Sequence, residues 1–158
     1  MNGVIEEAWK QLAAVRTLTF QATSEAAVTT GWVGIGKGMV EVETPDTAIL
    51  VFRESGSWTT PHGKEIGFHN VYRWKLESDA IQLEHLRFGP DAPVFLFALE
   101  AMGPGKLASS CPHLCAEDRY RATMELGEPL RLRWTVKGPA MAETIEYQYG
   151  SGRSSATG

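Results

Sequence analysis

Between Leu130 and Val136 the apolar residues Leu130, Leu132, Trp134 and Val136 alternate strictly with Arg131, Arg133 and Thr135. A period of two marks a strand with one face in a core and the other in water, because successive side chains on a strand point to opposite sides. Upstream, Asp118, Tyr120, Ala122, Met124 and Leu126 alternate with Arg119, Arg121, Thr123 and Glu125, and Gly127-Glu128-Pro129 separates the two runs as a hairpin turn. Gly138-Pro139 ends the second run, since proline cannot donate to a ladder, and the chain returns from Met141 to Tyr149. The stretch predicts a three-stranded antiparallel meander and sets the frame for the rest of the chain.

One helix precedes the β structure. From Asn2 to Val15 the residues Val4, Ile5, Ala8, Trp9, Leu12 and Ala13 draw a single apolar stripe, and Glu6 and Glu7 sit in the first turn, where the helix dipole favours anions. Such a stripe has to be laid on the strands, and covering an open barrel end is one way to do so. From Arg16 onward short runs alternate between turn signals: Ser24 to Ala27, Pro45-Asp46, Glu54-Ser55-Gly56-Ser57, the Pro61-His62-Gly63 tip, Ser78-Asp79, Gly89-Pro90-Asp91 and Gly103-Pro104-Gly105. Gly34, Gly36 and Gly38 leave one side of their strand bare, a mark of a tight bend or close backbone approach. No helix pattern follows these glycines, so a phosphate loop is disfavoured.

The count is nine or ten strands joined mostly by short turns, with no strand-helix-strand crossover. The predicted fold is all-β: a single antiparallel up-and-down barrel with one N-terminal helix. Closure removes the exposed edges, and a barrel of this strand number can hold one small ligand. A chain of 158 residues is read as one domain over 1–149, with the helix at 2–15, strands from 16, and the polar stretch 150–158 as a flexible tail.

Fifteen Lys and Arg against 19 Asp and Glu leave a net charge of −4. The cations alternate along strands and do not gather beside stacking aromatics, so no nucleic-acid partner is expected. The sequence shows no signal-peptide pattern and no apolar run long enough for a membrane helix. A cytoplasmic location follows, and in that compartment Cys111 and Cys115 are read as free thiols. A homodimer is left open.

The elements His-Leu-Cys-Ala-Glu-Asp-Arg-Tyr (113–120), Trp-Thr-Val-Lys-Gly-Pro (134–139) and Thr-Ile-Glu-Tyr (144–147), with Gly-Trp-Val-Gly (31–34), Phe-Arg-Glu-Ser-Gly (52–56) and Tyr-Arg-Trp (72–74), resemble an uncharacterised bacterial family of small lipocalin-like proteins. The resemblance covers nearly the whole chain and implies a calycin-type barrel. It implies no reaction.

The candidate ligand-binding residues are Tyr72, Arg73, Trp74, His85, Phe88, His113, Asp118, Tyr120, Trp134 and Tyr147. The aromatic members are read as lining one lumen, with Arg73, His85, Asp118 and Tyr120 as polar anchors; the plainer reading is that aromatic rows of this kind are core. His113 and Cys115 lie two apart, a spacing that suits a Cys-His pair, although capping and packing a strand end also accounts for them. Zinc needs three or four ligands and the remaining candidates are scattered, so no metal and no cofactor is expected. His62 and His69 look exposed. The leading expectation is a barrel that binds a small apolar or aromatic molecule. The alternatives are an enzyme using Asp118 or His113 as general acid and base, or haem held through His85 or His113.

Overall fold

The computed structural model describes residues 3–24, 33–109, 113–115, 118–137 and 142–152, with the backbone alone for 113–115 and 118–120. One helix, α1 (Gly3–Ala13), is followed by β1 (Thr17–Ser24), β2 (Gly34–Asp46), β3 (Ile49–Thr59), β4 (Glu65–Leu76), β5 (Ile81–His85), β6 (Val94–Gly103), β7 (Lys106–Ser109), β8 (His113–Cys115), β9 (Asp118–Glu125), β10 (Leu130–Lys137) and β11 (Ala142–Gly150). Every pairing is antiparallel, and consecutive strands pair from β1 to β7. β11 returns to β1 along Thr17↔Gly150 to Ser24↔Glu143. β10 pairs with both β11 and β9, and β9 with β7, so the sheet closes as a ten-stranded barrel. β7 and β8 share one edge of β9: Lys106 to Ala108 oppose Glu125 to Thr123, and His113 to Cys115 oppose Tyr120 to Asp118.

Closure is driven by the inward rows. Leu18, Phe20 and Ala22 on β1, Leu50 and Phe52 on β3, Leu130, Leu132, Trp134 and Val136 on β10, and Tyr147 and Tyr149 on β11 are all buried. The outward rows carry Arg131, Arg133, Glu146 and Gln148, with Arg133 and Glu146 opposite in register and 3.3 Å apart. A second exposed pair, Arg53 with Glu43, lies on β2 and β3. Exposed pairs of this kind contribute at most about 1 kcal/mol and mainly keep the outer face in water.

The helix forms as its stripe requires. Ile5, Ala8 and Leu12 have no exposed surface, and α1 packs against β6 and β7. It ends two residues before the predicted Val15, where Ala14 N–H and Val15 N–H donate to the carbonyls of Gln11 and Leu12, three residues back. That tighter pattern is common at helix C-termini. The Gln11 side-chain oxygen accepts from Gly127 N–H at 3.0 Å and ties the helix to the β9–β10 turn. α1 therefore plugs the barrel end where the β9–β10 and β6–β7 turns lie.

One predicted turn is absent. Residues 54–57 lie inside β3, which runs unbroken from Ile49 to Thr59 against β2 and β4. Its Gly56 meets Gly38 of β2 in register, and a Cβ on Gly56 would collide with the Lys37 carbonyl. These glycines serve the close approach of two backbones. The bare face at Gly36 is filled by the Phe20 ring. The Pro61-His62-Gly63 tip is the β3–β4 turn, closed by Thr60 N–H to the Lys64 carbonyl at 2.8 Å.

If the plug holds the closed end together, Leu12→Ala should lower the unfolding free energy by about 2–5 kcal/mol in urea titrations, the range for a truncated, fully buried leucine. A loss under about 1 kcal/mol would mean that α1 is dispensable for the core.

Candidate functional site

The two ends of the barrel differ. Near α1 the lumen is solid: Leu18, Leu50, Phe52, Trp74, Ile81, Leu99, Leu107, Met124 and Leu130 are at most 2% exposed. Towards the opposite end, where β1, β3, β5 and β10 finish, burial is mixed: Ala22, Trp58 and Val136 stay buried, whereas the inward-phased Ile66, Phe68 and Asn70 on β4, His85 on β5, Val94 on β6 and Ile145 on β11 are only partly buried. Aromatic contacts link the two regions. Trp134, Phe97, Trp74, Phe52, Tyr149, Tyr147, Phe20 and Phe68 follow one another at centroid distances of 5.2–6.5 Å. The chain of rings starts at Trp134, opposite Ile145 in register, passes through the packed centre at Trp74 and Phe52, and reaches the mouth at Phe68.

Between the two regions sits Glu54, with no exposed surface. Its even position on β3 puts it in phase with Phe52 and Trp58, facing the lumen between Val40 of β2 and Asn70 of β4. Tyr149 donates its hydroxyl to Oε2 at 2.8 Å, while Oε1 has no hydrogen-bond partner among the described residues. Burial pushes the carboxyl from 4.5 up to about 8, and the Tyr149 hydrogen bond opposes that rise only in part. At neutral pH the group is therefore mostly the neutral acid. Tyr72, Tyr147 and Tyr149 are also buried, and desolvation holds their hydroxyls well above the usual tyrosine range. A hydrogen bond joins Tyr147 to Tyr72, and the Tyr147 and Tyr149 rings stack at 5.2 Å. The result is one carboxyl and three phenols set into an aromatic wall.

His85 stands opposite Tyr72 in register, its ring stacked on the phenol at 4.7 Å. Partial burial, aided by the Arg87 charge, lowers its pKa below the ordinary 6.5, so the imidazole is neutral at pH 7.

The predicted candidates fall into three groups. Tyr72, Trp74, His85, Trp134 and Tyr147 are inward, although Trp74 and Trp134 belong to the packed aromatic chain. Arg73 and Phe88 do not line the lumen. Arg73 is out of phase with Tyr72 and Trp74, and its Nε donates to Glu84 at 2.8 Å on the outer side. Phe88 lies beyond the end of β5, is 67% exposed, and has the Arg87 guanidinium 5.0 Å above its ring. The side chains of His113, Cys115, Asp118 and Tyr120 lie outside the described residues, as does Cys111; the backbone register pairs His113 with Tyr120 and Cys115 with Asp118. Sequence reasoning missed Glu54 and Tyr149. Tyr149 shares the phase of Tyr147, already a candidate, and Glu54 continues the phase of Leu50 and Phe52; that phase was the available signal.

Among the described residues, no three His, Cys, Asp or Glu side chains gather as a metal site. No helix among them is long and apolar enough to cross a membrane.

These features define a small closed β-barrel with one plugged end and an aromatic, carboxyl-bearing lumen at the other. The chain belongs to a family of unknown function, DUF6314, whose model matches residues 8–151. No curated protein matches it. Among solved structures, a redesigned β-barrel, mFAP1, bound to DFHBI, aligns at 9% identity with a TM-score of 0.40, over 88% of this chain and 96% of that one.

The raised carboxyl of Glu54 links folding to pH. The folded protein holds a proton that the unfolded chain releases near pH 4.5, so this contribution to stability is complete below about 4.5 and is lost as pH rises through about 8. Between those limits, wild-type stability relative to Glu54→Gln should fall by up to about 1.4 kcal/mol per pH unit, read from denaturant midpoints at pH 5, 6, 7 and 8. A pH-independent difference would show that Glu54 is ionised in the fold.

Proposed function

We propose that the protein is a lipocalin-like binding barrel that takes a small, mainly apolar or aromatic molecule through the end opposite α1. The observation that carries this reading is a set of inward apolar residues that stay accessible near that end, although Ala22, Trp58 and Val136 beside them are buried. Ile66, Phe68, Val94 and Ile145 face inward, yet keep access to solvent, in a barrel whose other half is packed solid. A purely structural barrel gains by burying such residues, at about 25 cal/mol per Å² of apolar surface. Accessible apolar residues inside a barrel that also holds a buried carboxyl have the composition of a ligand pocket, which is mostly apolar with a few placed polar groups.

Titration with N-phenyl-1-naphthylamine, a neutral aromatic fluorophore, tests this directly. The expected result is saturable one-to-one enhancement, weakened on the order of tenfold by Val94→Trp, which fills the mouth, and unchanged by Arg73→Ala on the outer face. Absence of saturable binding, or equal effects of the two substitutions, would contradict the proposal.

A further inference from the structure

The proposal of a binding barrel leaves the chemistry of the ligand open, and Glu54 narrows it. A neutral carboxylic acid has one O–H donor and a carbonyl acceptor. Oε2 already accepts from the Tyr149 hydroxyl. With Oε2 as the carbonyl oxygen that accepts from Tyr149, the proton falls on Oε1, the oxygen that finds no partner among the described residues. A buried donor without an acceptor costs about 1–3 kcal/mol, so a group in this position requires an explanation.

The groups facing Glu54 supply no counter-charge. β4 presents Asn70 and Tyr72, β11 presents Tyr147 and Tyr149, and β2 presents Val40. Among the described residues Glu54 makes no ion pair. A cationic ligand would draw the proton off and pair with the carboxylate; a ligand carboxylate would add a second acid to a site already short of solvation. A neutral acceptor oxygen would satisfy Oε1 without moving any charge into the lumen, once neighbouring side chains move aside to uncover that fully buried atom.

Resting on the binding reading above, we infer that the ligand is a neutral aromatic or apolar molecule bearing a carbonyl, whose oxygen accepts a hydrogen bond from Oε1 of Glu54. Tyr149 fixes the carboxyl so that its donor faces the lumen. The tyrosine and phenylalanine rings supply the apolar contact, and the carbonyl sets the orientation.

Two matched fluorophores separate this inference from the reading it rests on: prodan, a naphthalene with a ketone and a dimethylamino group, and 2-(dimethylamino)naphthalene, which lacks the ketone. Wild-type protein at pH 6.5 should bind prodan at least about tenfold more tightly, since only prodan satisfies the buried donor. That preference should shrink as pH rises through about 8 and Glu54 ionises. It should persist in Glu54→Gln, whose amide still donates, and vanish in Glu54→Leu. The wild-type pH series decides the matter even where a variant folds poorly. Equal, saturable binding of both probes at every pH would overturn the carbonyl assignment while leaving the binding barrel standing. Failure of both probes to bind would overturn both.

Discussion

The structure depends on closing the antiparallel ladder between β9 and β10. An open sheet of this length would expose two unpaired edges and an apolar face. Once Arg131 to Lys137 of β10 pair with Glu125 to Arg119 of β9, the backbone groups along that seam are satisfied and the inward rows enclose one core. The same closure fixes the phase of every strand, because a one-residue slip would send a whole row to the wrong side. Placement of the polar lumen groups follows from it: Glu54, Tyr72, Tyr147 and Tyr149 are inside because Phe52, Trp74 and Ile145 are in their respective phases.

A closed barrel has two ends, and this one treats them differently. Its N-terminal helix contributes Ile5, Ala8 and Leu12 to the core at one end, where α1 packs on β6 and β7. At the other end Ile66, Phe68, Val94 and Ile145 stay partly accessible, while Ala22, Trp58 and Val136 are buried. Glu54 lies at the boundary, deep enough for desolvation to dominate its protonation and close enough to Tyr149 and Tyr72 to belong to a polar cluster. Burial of an ionisable group is tolerated when the group sheds its charge. Here the neutral acid is the inexpensive form.

Much of the fold was legible because period two is an unambiguous signal. The meander of β9, β10 and β11, the hairpin tip at 61–63 and the helix stripe all follow from residue phase. Reading Glu54-Ser55-Gly56-Ser57 as a turn was an error of composition: four turn-forming residues outweighed the continuing phase Leu50, Phe52, Glu54, Gly56, Trp58. The glycine there answers to the neighbouring backbone, which a single strand's sequence does not display. The site was less legible for a related reason. Arg73 and Phe88 were nominated by residue type against their phase, whereas Tyr149 was passed over although it continues the Ile145, Tyr147 row. The raised pKa of Glu54 depends on burial from several strands at once and has no local signature.

The central claim is that a neutral carboxyl sits in the lumen at physiological pH. Carbon-13 NMR of the Glu side-chain carboxyls, with the Glu54 resonance assigned by its loss in Glu54→Gln, measures it directly. The account predicts a single titration near pH 8, far from the surface glutamates. A Glu54 resonance that titrates near 4.5 with the others would place an ionised carboxylate in the barrel and contradict the claim.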